Sequence, residues 1–333
     1  MNPLRFSVLA FSALFAVNAP ADPVRVLTYN ILSAYLGADK TGATEKPRAV
    51  RWEKRAPALI EVLRRPAADG APYDFIATQE TSFDTRKPSR DQPSFLAAAL
   101  PEYDSLAEPC VGRANLRRQS LSNMIFWLKK RWKPDPSDRG TFWLSDTPEK
   151  PSDTWRAPAD PAESLRCVTF ALLHELGPDA RPTGRRVYLF NTHLSVRSEA
   201  VRVRSAALIL ARIAARRDPT APAILTGDMN ALPGSAPLLH FQGNPIVING
   251  KQQTAPLALH DTFADIFPAQ SKITPATPAK EIPPPLVRSK IDYIFATQNL
   301  ATLSARRLET RTPENFWPSD HDPYEAILSL PPH

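Results

Sequence analysis

The sequence predicts an α/β fold in which two β-sheets lie face to face and helices cover their outer surfaces. Strand-like and amphipathic helical segments alternate along both halves of the chain. The strand-like segments are too numerous for one sheet to bury them all. No linker of shifted composition interrupts residues 22–333. We therefore predict one α/β domain over this range.

The overall composition is that of a globular protein with a full apolar core. Of the 333 residues, 43% are hydrophobic, which excludes disorder as the main state. The formal net charge of +7 favours an anionic substrate or surface, or else serves solubility alone. Two basic stretches, 113–118 and 129–133, are candidates for phosphate contacts, although such stretches are usually solvated turns.

Residues 1–21 have the features of an export signal. Arg5 precedes an apolar run over 6–17, and Ala19-Pro20-Ala21 has the small residues of a cleavage site. The alternatives are a buried helix or a membrane anchor, but the run is short for a bilayer and no later segment qualifies. We expect a secreted or periplasmic monomer without stable membrane insertion.

The two cysteines, Cys110 and Cys167, leave two alternatives open. An exported protein of this kind has either one disulfide or two buried thiols. Cys110 precedes a predicted strand and Cys167 begins another, so a bond between them is plausible. Cysteine and histidine spacing gives no support for a structural zinc site.

The first half of the chain predicts strands around one clear helix. Residues 24–29 alternate as a strand does, and Asn30 follows them. Residues at helical spacing predict a helix that buries Trp52, Ala56, Leu59, Ile60 and Leu63. Residues 74–78 form a second buried strand, followed by Gln79-Glu80. The remaining predicted elements are a short helix at 93–100 and strands at 103–106 and 123–128.

The second half repeats this order of elements. Residues 141–152 are expected to be irregular because their prolines exclude a helix. An amphipathic helix is predicted over 197–217, with Val203, Ala207, Leu210 and Ala214 on its buried face. A proline-rich stretch, 268–287, predicts a surface excursion or lid. Strands are predicted at 167–173, 186–190, 223–226, 291–295 and 326–330.

Polar side chains stand beside the ends of six predicted strands. In α/β proteins, such positions hold chemical groups rigidly at one edge of a sheet. Carboxylate and amide oxygens suit Mg²⁺ or Mn²⁺, and histidines can carry protons or donate to phosphate. Each residue alone has an ordinary alternative as a turn, an ion pair or a buried histidine. The residues are Asn30, Glu80, His193, Asp228 with Asn230, Asp292, and Asp320 with His321.

These residues lie in six motifs, in the order LTYNI, TQE, NTHLS, GDMNA, KIDYI and SDHDP. The ordered set resembles the endonuclease/exonuclease/phosphatase superfamily, which includes deoxyribonuclease I, exonuclease III and neutral sphingomyelinase. The resemblance spans residues 24–330, and FWLSDTP followed by RCVTFALL resembles a bacterial subgroup. It implies a four-layer α/β/β/α sandwich of two mixed sheets with one active site at their common edge.

The resemblance also implies a divalent metal, Mg²⁺ or Mn²⁺, and its ligands. Glu80 corresponds to the principal metal ligand, and Asn30 and Asp320 support it. These assignments follow from position within the motifs.

The catalytic roles follow from the same resemblance. His321 corresponds to the catalytic histidine, and Asp292 to the carboxylate that orients and charges it. Asp228 corresponds to the residue that activates the attacking water or handles its proton. Asn230 and His193 correspond to donors to the phosphate oxygens.

Together these features predict an exported phosphoesterase that cleaves a phosphodiester or phosphomonoester by metal-activated water. The basic charge slightly favours a nucleic acid substrate. The alternatives are a phospholipid headgroup, an inositol phosphate or a sugar phosphate, or a non-catalytic binding protein on the same fold. After NTHL, Ser195-Val196-Arg197 replaces the aspartate-histidine of some bacterial relatives, which leaves the substrate open. Arg166 either approaches the substrate phosphate or forms an ion pair on the surface.

Overall fold

The computed structural model describes residues 23–36, 50–155, 164–272 and 289–331. The predicted export signal and most of the predicted proline-rich excursion lie outside these ranges. Within them, no helix is both long enough and apolar enough to cross a membrane.

The described residues form strands and helices in an order close to the predicted one. The strands are β1 (Val24–Asn30), β2 (Phe75–Asp84), β3 (Tyr103–Leu106), β4 (Gln119–Leu128), β5 (Trp132–Trp143), β6 (Cys167–Leu176), β7 (Pro182–His193), β8 (Ala223–Asp228), β9 (Ile246–Ile248), β10 (Lys251–Gln253), β11 (Leu259–Asp261), β12 (Asp292–Thr297), β13 (Ala301–Arg307) and β14 (Tyr324–Ser329). The α-helices are α1 (Trp52–Arg64), α2 (Gln92–Ala99), α3 (Glu199–Ala214), α4 (Ala236–Phe241) and α5 (Thr262–Ile266).

Two six-stranded mixed sheets make up the fold. Sheet I has the order β13-β14-β1-β2-β4-β3, and sheet II has the order β11-β12-β8-β7-β6-β5. Strands β1 and β2 are parallel in sheet I, as are β7 and β8 in sheet II, whereas the other pairs are antiparallel. The prediction of two mixed sheets is confirmed.

Each parallel pair is joined by an amphipathic helix. Helix α1 connects β1 to β2 and buries all the apolar residues predicted for it. Helix α3 connects β7 to β8, and the hydroxyl of Ser198 caps it by accepting from the Val201 amide. Of the predicted buried face of α3, Val203 and Leu210 are buried, but Ala207 and Ala214 are partly exposed. The buried face of α3 instead includes Ala206, Ile209 and Ile213.

The main core lies between the two sheets. Side chains from both sheets pack there, including Leu27 and Ile76 from sheet I and Leu189 and Ile224 from sheet II. Helix α1 packs on sheet I, while α3 and α4 pack on sheet II. The predicted four-layer α/β/β/α sandwich is therefore confirmed.

Several strands differ from the sequence prediction, and β9, β10, β11 and β13 were not predicted. Strand β2 continues to Asp84 instead of ending near Thr78. Strand β5 was not predicted, and Pro134 and Pro136 lie within it. Its last three residues, 141–143, pair with β6, so the prediction of irregular structure over 141–152 was wrong for this part. Among the described strands, β5 is the last of sheet II and pairs on one side only, and prolines are tolerated on such edges.

A disulfide joins Cys110 to Cys167, with their Cα atoms 5.8 Å apart. Cys110 lies before β4 of sheet I, and Cys167 is the first residue of β6 in sheet II. The bond therefore ties the two sheets together near one edge. The disulfide alternative is the one that the structure shows.

Candidate active site

Asn30 lies at the centre of the predicted site and links the two sheets. Its Nδ2 atom is 3.2 Å from Oε1 of Glu80 and 3.0 Å from Oδ2 of Asp228. It also lies 3.5 Å from Nε2 of His321. One amide at the end of β1 thus contacts residues from three other segments of the chain.

The local backbone fixes this amide. Asn30 is fully buried, and its Oδ1 accepts a hydrogen bond of 3.1 Å from the Leu32 amide. The nitrogen of the side chain therefore faces the carboxylates. A ligand role for Asn30 would have to use Oδ1, and it stays a prediction.

Glu80 reaches the site because β2 has a bulge at this position. The pairing of β2 with β4 shifts register between Thr78 and Thr81, and Glu80 has a φ of 58°. A bulge re-aims a side chain while the strand continues, which explains why β2 does not end here. Burial, followed by the charges of Asp320 and Asp228, raises the pKa of Glu80.

Asp228 is positioned by the glycine before it. A Cβ atom on Gly227 would lie 2.2 Å from the Thr192 carbonyl oxygen, so only glycine allows β7 and β8 to pair this closely. This pairing sets His193 opposite Asp228. Oδ1 of Asp228 accepts from the Asn230 amide at 2.9 Å, which closes the turn after β8.

His321 is held between two carboxylates. Asp292 stands opposite Asp228 in the β12–β8 pair. Its Oδ2 is 2.8 Å from Nδ1 of His321, and Nε2 of His321 is 3.6 Å from Oδ2 of Asp228. Burial lowers the pKa of His321, but the Asp292 and Asp228 charges outweigh it and raise that pKa well above its ordinary value. Burial and the Asp292 charge raise the pKa of Asp228 to about 6.

His193 has the opposite electrostatic character. Burial, followed by the charges of Arg166 and His321, lowers its pKa well below the usual value, so its ring is neutral at neutral pH. Its Nε2 is buried, makes no hydrogen bond to any described residue, and lies 3.4 Å from Oδ2 of Asp228. This nitrogen is available to donate to a ligand oxygen.

Asn230 and Asp320 flank this group. Asn230 has a φ of 46°, and its Nδ2 donates to the Leu194 carbonyl at 3.0 Å. Asp320 is the most exposed of the predicted site residues. The preceding Ser319 hydroxyl donates to the Asn30 carbonyl at 2.6 Å, which ties this loop to the end of β1. All the predicted site residues therefore lie in or beside one connected group.

A family profile matches the sequence over this same region. The profile of the Endonuclease/Exonuclease/phosphatase family matches residues 27–321, which begins in β1 and ends at His321. The chain belongs to the endonuclease/exonuclease/phosphatase family. Members of this family are phosphoesterases.

Among curated proteins, mouse nocturnin is 25% identical over 313 residues, which cover 90% of this chain and 64% of the relative. The chain thus spans just under two thirds of the length of the curated relative that it matches.

Several solved structures of the family share the fold. An endonuclease/exonuclease/phosphatase from Bacteroides vulgatus has a TM-score of 0.65 and 23% identity, covering 93% of this chain and 99% of its own. A mannosyl-6-phosphatase from Bacteroides thetaiotaomicron has a TM-score of 0.62 and 24% identity, covering 92% and 99%. The human nocturnin catalytic domain with bound sulfate has a TM-score of 0.60 and 20% identity, covering 94% and 97%.

The endonuclease/exonuclease/phosphatase family generally uses divalent metals, and the donor atoms present here fit such an ion. Ligand atoms of Asp228, Asp292 and His321 lie within 4.8 Å of one another. Oδ1 of Asp292 is buried without a hydrogen-bond partner among the described residues. The Glu80 carboxylate accepts from the same Asn30 nitrogen that contacts Asp228. Oxygen donors predominate, which suits a hard cation such as Mg²⁺.

The sequence did not indicate a role for Arg55, which holds two loops beside the candidate active site. Its fully buried guanidinium donates to the carbonyls of Ile31 at 2.6 Å, Leu32 at 2.5 Å and Ser33 at 2.9 Å. It also donates to the Pro318 carbonyl at 3.0 Å. Arg55 thus joins the loop after Asn30 to the loop before Asp320. The available signal was an arginine on the apolar face of α1.

Sequence reasoning also missed a buried amide pair between the sheets. Nε2 of Gln79 donates to Oδ1 of Asn191 at 2.6 Å. Nδ2 of Asn191 in turn donates to the carbonyls of Thr78 and Met124, both at 3.0 Å. The sequence did offer a sign of this pair, since Gln79 and Asn191 are polar residues within otherwise apolar strands, close to Glu80 and His193.

Proposed function

We propose that the protein is an exported, divalent-metal-dependent enzyme that hydrolyses a phosphodiester or phosphomonoester by attack of an activated water. One observation carries the proposal. Asn30 brings Glu80 of sheet I and Asp228 of sheet II together beside the His321–Asp292 pair. This arrangement combines a cation site, a proton acceptor and proton donors in one place.

The two histidines have different proposed tasks. His321 is protonated at neutral pH because of its raised pKa, so its Nε2 can donate to a phosphate oxygen as negative charge develops there. His193 is neutral, and its Nε2 can donate to a second oxygen without adding charge. Asn230 retains one amide hydrogen beyond its bond to Leu194 and could contribute a further donor.

Asp228 is the proposed proton acceptor for the attacking water. Its pKa of about 6 leaves it mostly ionised at neutral pH while keeping it basic enough to take a proton. Oδ1 is held by the Asn230 amide, and Oδ2 faces Asn30 and both histidines. The carboxylate is thus oriented before a substrate arrives.

Glu80 is the proposed principal metal ligand, with Asn30 and Asp320 in support. Burial and neighbouring carboxylates raise the pKa of Glu80, and a cation at this position would relieve the crowding of negative charge. A bound Mg²⁺ or Mn²⁺ would supply positive charge to the phosphate oxygens and promote loss of a proton from water.

A nucleic acid is the preferred substrate because the chain has a net charge of +7. A sugar phosphomonoester is the second candidate, since the mannosyl-6-phosphatase of Bacteroides thetaiotaomicron shares the fold over 92% of this chain. Secretion or delivery to the periplasm is proposed from residues 1–21. We propose a monomer as the working unit.

The proposal is tested with DNA, RNA, sphingomyelin, sugar phosphates and bis-p-nitrophenyl phosphate, each assayed with Mg²⁺ and then with chelator. Glu80→Ala and His321→Ala are expected to abolish turnover while circular dichroism shows an intact fold. Unchanged turnover by His321→Ala would refute the catalytic assignment. Failure to hydrolyse any ester, with no stabilisation by Mg²⁺, would favour a binding protein on this fold.

A further inference from the structure

Strands β2 and β4 extend past the candidate active site as an antiparallel pair. Beyond Glu80, β2 continues to Asp84, and the pairing with β4 runs from Thr81 opposite Ser122 to Asp84 opposite Gln119. At about 3.3 Å per residue, this extension reaches about 13 Å beyond Glu80. The two strands therefore form a wall beside the site.

Four exposed cations lie at the end of this wall. Arg86 and Lys87 follow β2 after Thr85, and Arg117 and Arg118 directly precede β4. The Thr85 amide donates to the Arg118 carbonyl at 2.9 Å, which holds the two segments side by side. We call these four residues the basic ridge.

The ridge carries more positive charge than the nearby carboxylates neutralise. Among the described residues, the side chains of Arg86, Arg117 and Arg118 form no ion pair. Asp84, the last residue of β2, contributes one negative charge beside Lys87: its Oδ1 accepts from the backbone amides of Arg86 and Lys87, and its Oδ2 accepts from Nε2 of Gln119.

Neighbouring arginines behave differently. Nε of Arg90 is 3.0 Å from Glu53, and Nε of Arg113 is 2.9 Å from Glu108. These two neighbouring arginines are therefore paired, whereas the three arginines of the ridge form no ion pair with any described residue. This contrast indicates a surface for an anionic partner.

The ridge is also held in place relative to the site. The Cys110–Cys167 disulfide anchors the segment that leads into Arg117 and Arg118. Cys167 is also close to the site along the sheet: the next residue, Val168, pairs with Thr192, which directly precedes His193. A preorganised surface loses less conformational entropy on binding. The ridge is thus a fixed cationic surface at a set distance from the site.

We propose that the basic ridge binds backbone phosphates of a nucleic acid strand whose scissile phosphate lies at the candidate active site. This inference rests on the proposed function. The ridge begins at Arg118, beside Thr85 and five residues beyond Glu80, so the span is about 17 Å at about 3.3 Å per residue. This matches about five nucleotides of a stacked strand, at about 3.4 Å of axis per charge. A sugar monophosphate is too short to contact both places, so the ridge selects for a polymer.

The test compares two double variants with the same change of charge. Arg117→Gln/Arg118→Gln removes two cations of the ridge. Lys129→Gln/Lys130→Gln removes two exposed cations directly after the opposite end of β4, far from the site. Exposed substitutions of this kind alter the free energy of unfolding by only about 0.5 kcal/mol, so both variants should fold.

For a short single-stranded DNA, the KM of the ridge variant is expected to be about tenfold higher than that of the wild type. The slope of log binding constant against log salt concentration should become shallower by about 1.4, because two phosphate contacts are lost. The lysine variant is expected to match the wild type. Hydrolysis of bis-p-nitrophenyl phosphate should be unchanged in both variants, because this small diester cannot reach the ridge.

DNA binding is measured separately by fluorescence anisotropy with chelator present. If the ridge variant binds DNA more weakly and the lysine variant does not, the ridge proposal is supported. This holds even if the wild type hydrolyses no ester, because that result would count only against the proposed function. Equal binding and equal KM for the two double variants would overturn the ridge proposal and leave the hydrolase intact. Wild-type turnover confined to phosphomonoesters would also overturn it.

Discussion

His321 and Asp292 are joined by a hydrogen bond of 2.8 Å between imidazole Nδ1 and a carboxylate oxygen. The bond connects the loop before β14 of sheet I to the first residue of β12 in sheet II. Because Nδ1 is engaged, Nε2 is left to face Asp228 and Asn30. The relative position of the two sheets therefore sets the orientation of the proposed catalytic histidine.

Asp292→Asn is expected to reduce kcat about 10²- to 10⁴-fold, since an amide neither charges nor orients the imidazole in the same way. The pKa of His321 is raised by the Asp292 and Asp228 charges, so loss of one charge lowers that pKa. If protonated His321 is the active form, the alkaline limb of the pH–rate profile moves to lower pH. Kinetics across pH with bis-p-nitrophenyl phosphate measure this shift. An unmoved alkaline limb would contradict the role assigned to the pair.

Removal of the divalent metal is expected to abolish turnover, and Mg²⁺ is expected to restore it. Mg²⁺ at 100 times its Kd should add about 2.7 kcal/mol to the free energy of unfolding of the wild type. Glu80→Gln should lose most of this stabilisation because it removes the principal proposed ligand charge. Glu61→Gln, on the exposed side of α1, is the matched control and should respond as the wild type does. Thermal unfolding with and without Mg²⁺ decides between these outcomes.

The sequence indicated which polar residues the fold brings together because they stand at or near strand ends. Asn30, Asp228 and Asp292 each lie at the end or start of a regular strand, where the pattern of apolar residues locates them directly. Glu80 was also identified, but the predicted reason was wrong, since it lies at a bulge within β2. A bulge changes the pairing of two strands, and the sequence of one strand does not reveal it.

Arg55 and Asn191 show what the sequence could not reveal. Both make their decisive hydrogen bonds to backbone carbonyls of distant segments, and a carbonyl is present at every residue. Nothing in the partner's sequence therefore signals the contact. Strand β5 was missed for a related reason, since its prolines are acceptable only because the strand lies at a sheet edge.

Gly227→Ala is expected to disrupt the site through the backbone. The new Cβ would lie 2.2 Å from the Thr192 carbonyl, so β7 and β8 must separate where His193 faces Asp228. We expect destabilisation by about 1–3 kcal/mol, as for overpacked cores, together with a large fall in kcat. Gly140→Ala is the control, because its Cβ meets nothing closer than 3.8 Å. Normal activity in Gly227→Ala would show that this close approach is not required.

Arg55→Met is expected to lower the free energy of unfolding by about 3 kcal/mol or more, because it leaves buried carbonyls without their donor. It should also reduce kcat at temperatures where the variant is fully folded, since both loops beside the site lose their tie. Arg64→Met, on the exposed side of the same helix, should cost only about 0.5 kcal/mol and leave kcat unchanged. Urea denaturation and turnover at low temperature separate the two effects. An Arg55→Met variant with full kcat would limit Arg55 to a role in stability.

Reduction of the Cys110–Cys167 disulfide is expected to lower the free energy of unfolding by about 4 kcal/mol, because the bond closes a loop with a sequence separation of 57. Cys110→Ser/Cys167→Ser should show the same loss without reductant, and adding reductant to this variant should change nothing further. The bond also anchors the segment carrying the basic ridge, so the variant should bind DNA more weakly while hydrolysing bis-p-nitrophenyl phosphate normally. Alkylation of the unreduced, denatured wild type should label no thiol. Two labelled cysteines would show that the bond does not form, and equal urea midpoints with and without reductant would show that it does not stabilise the fold.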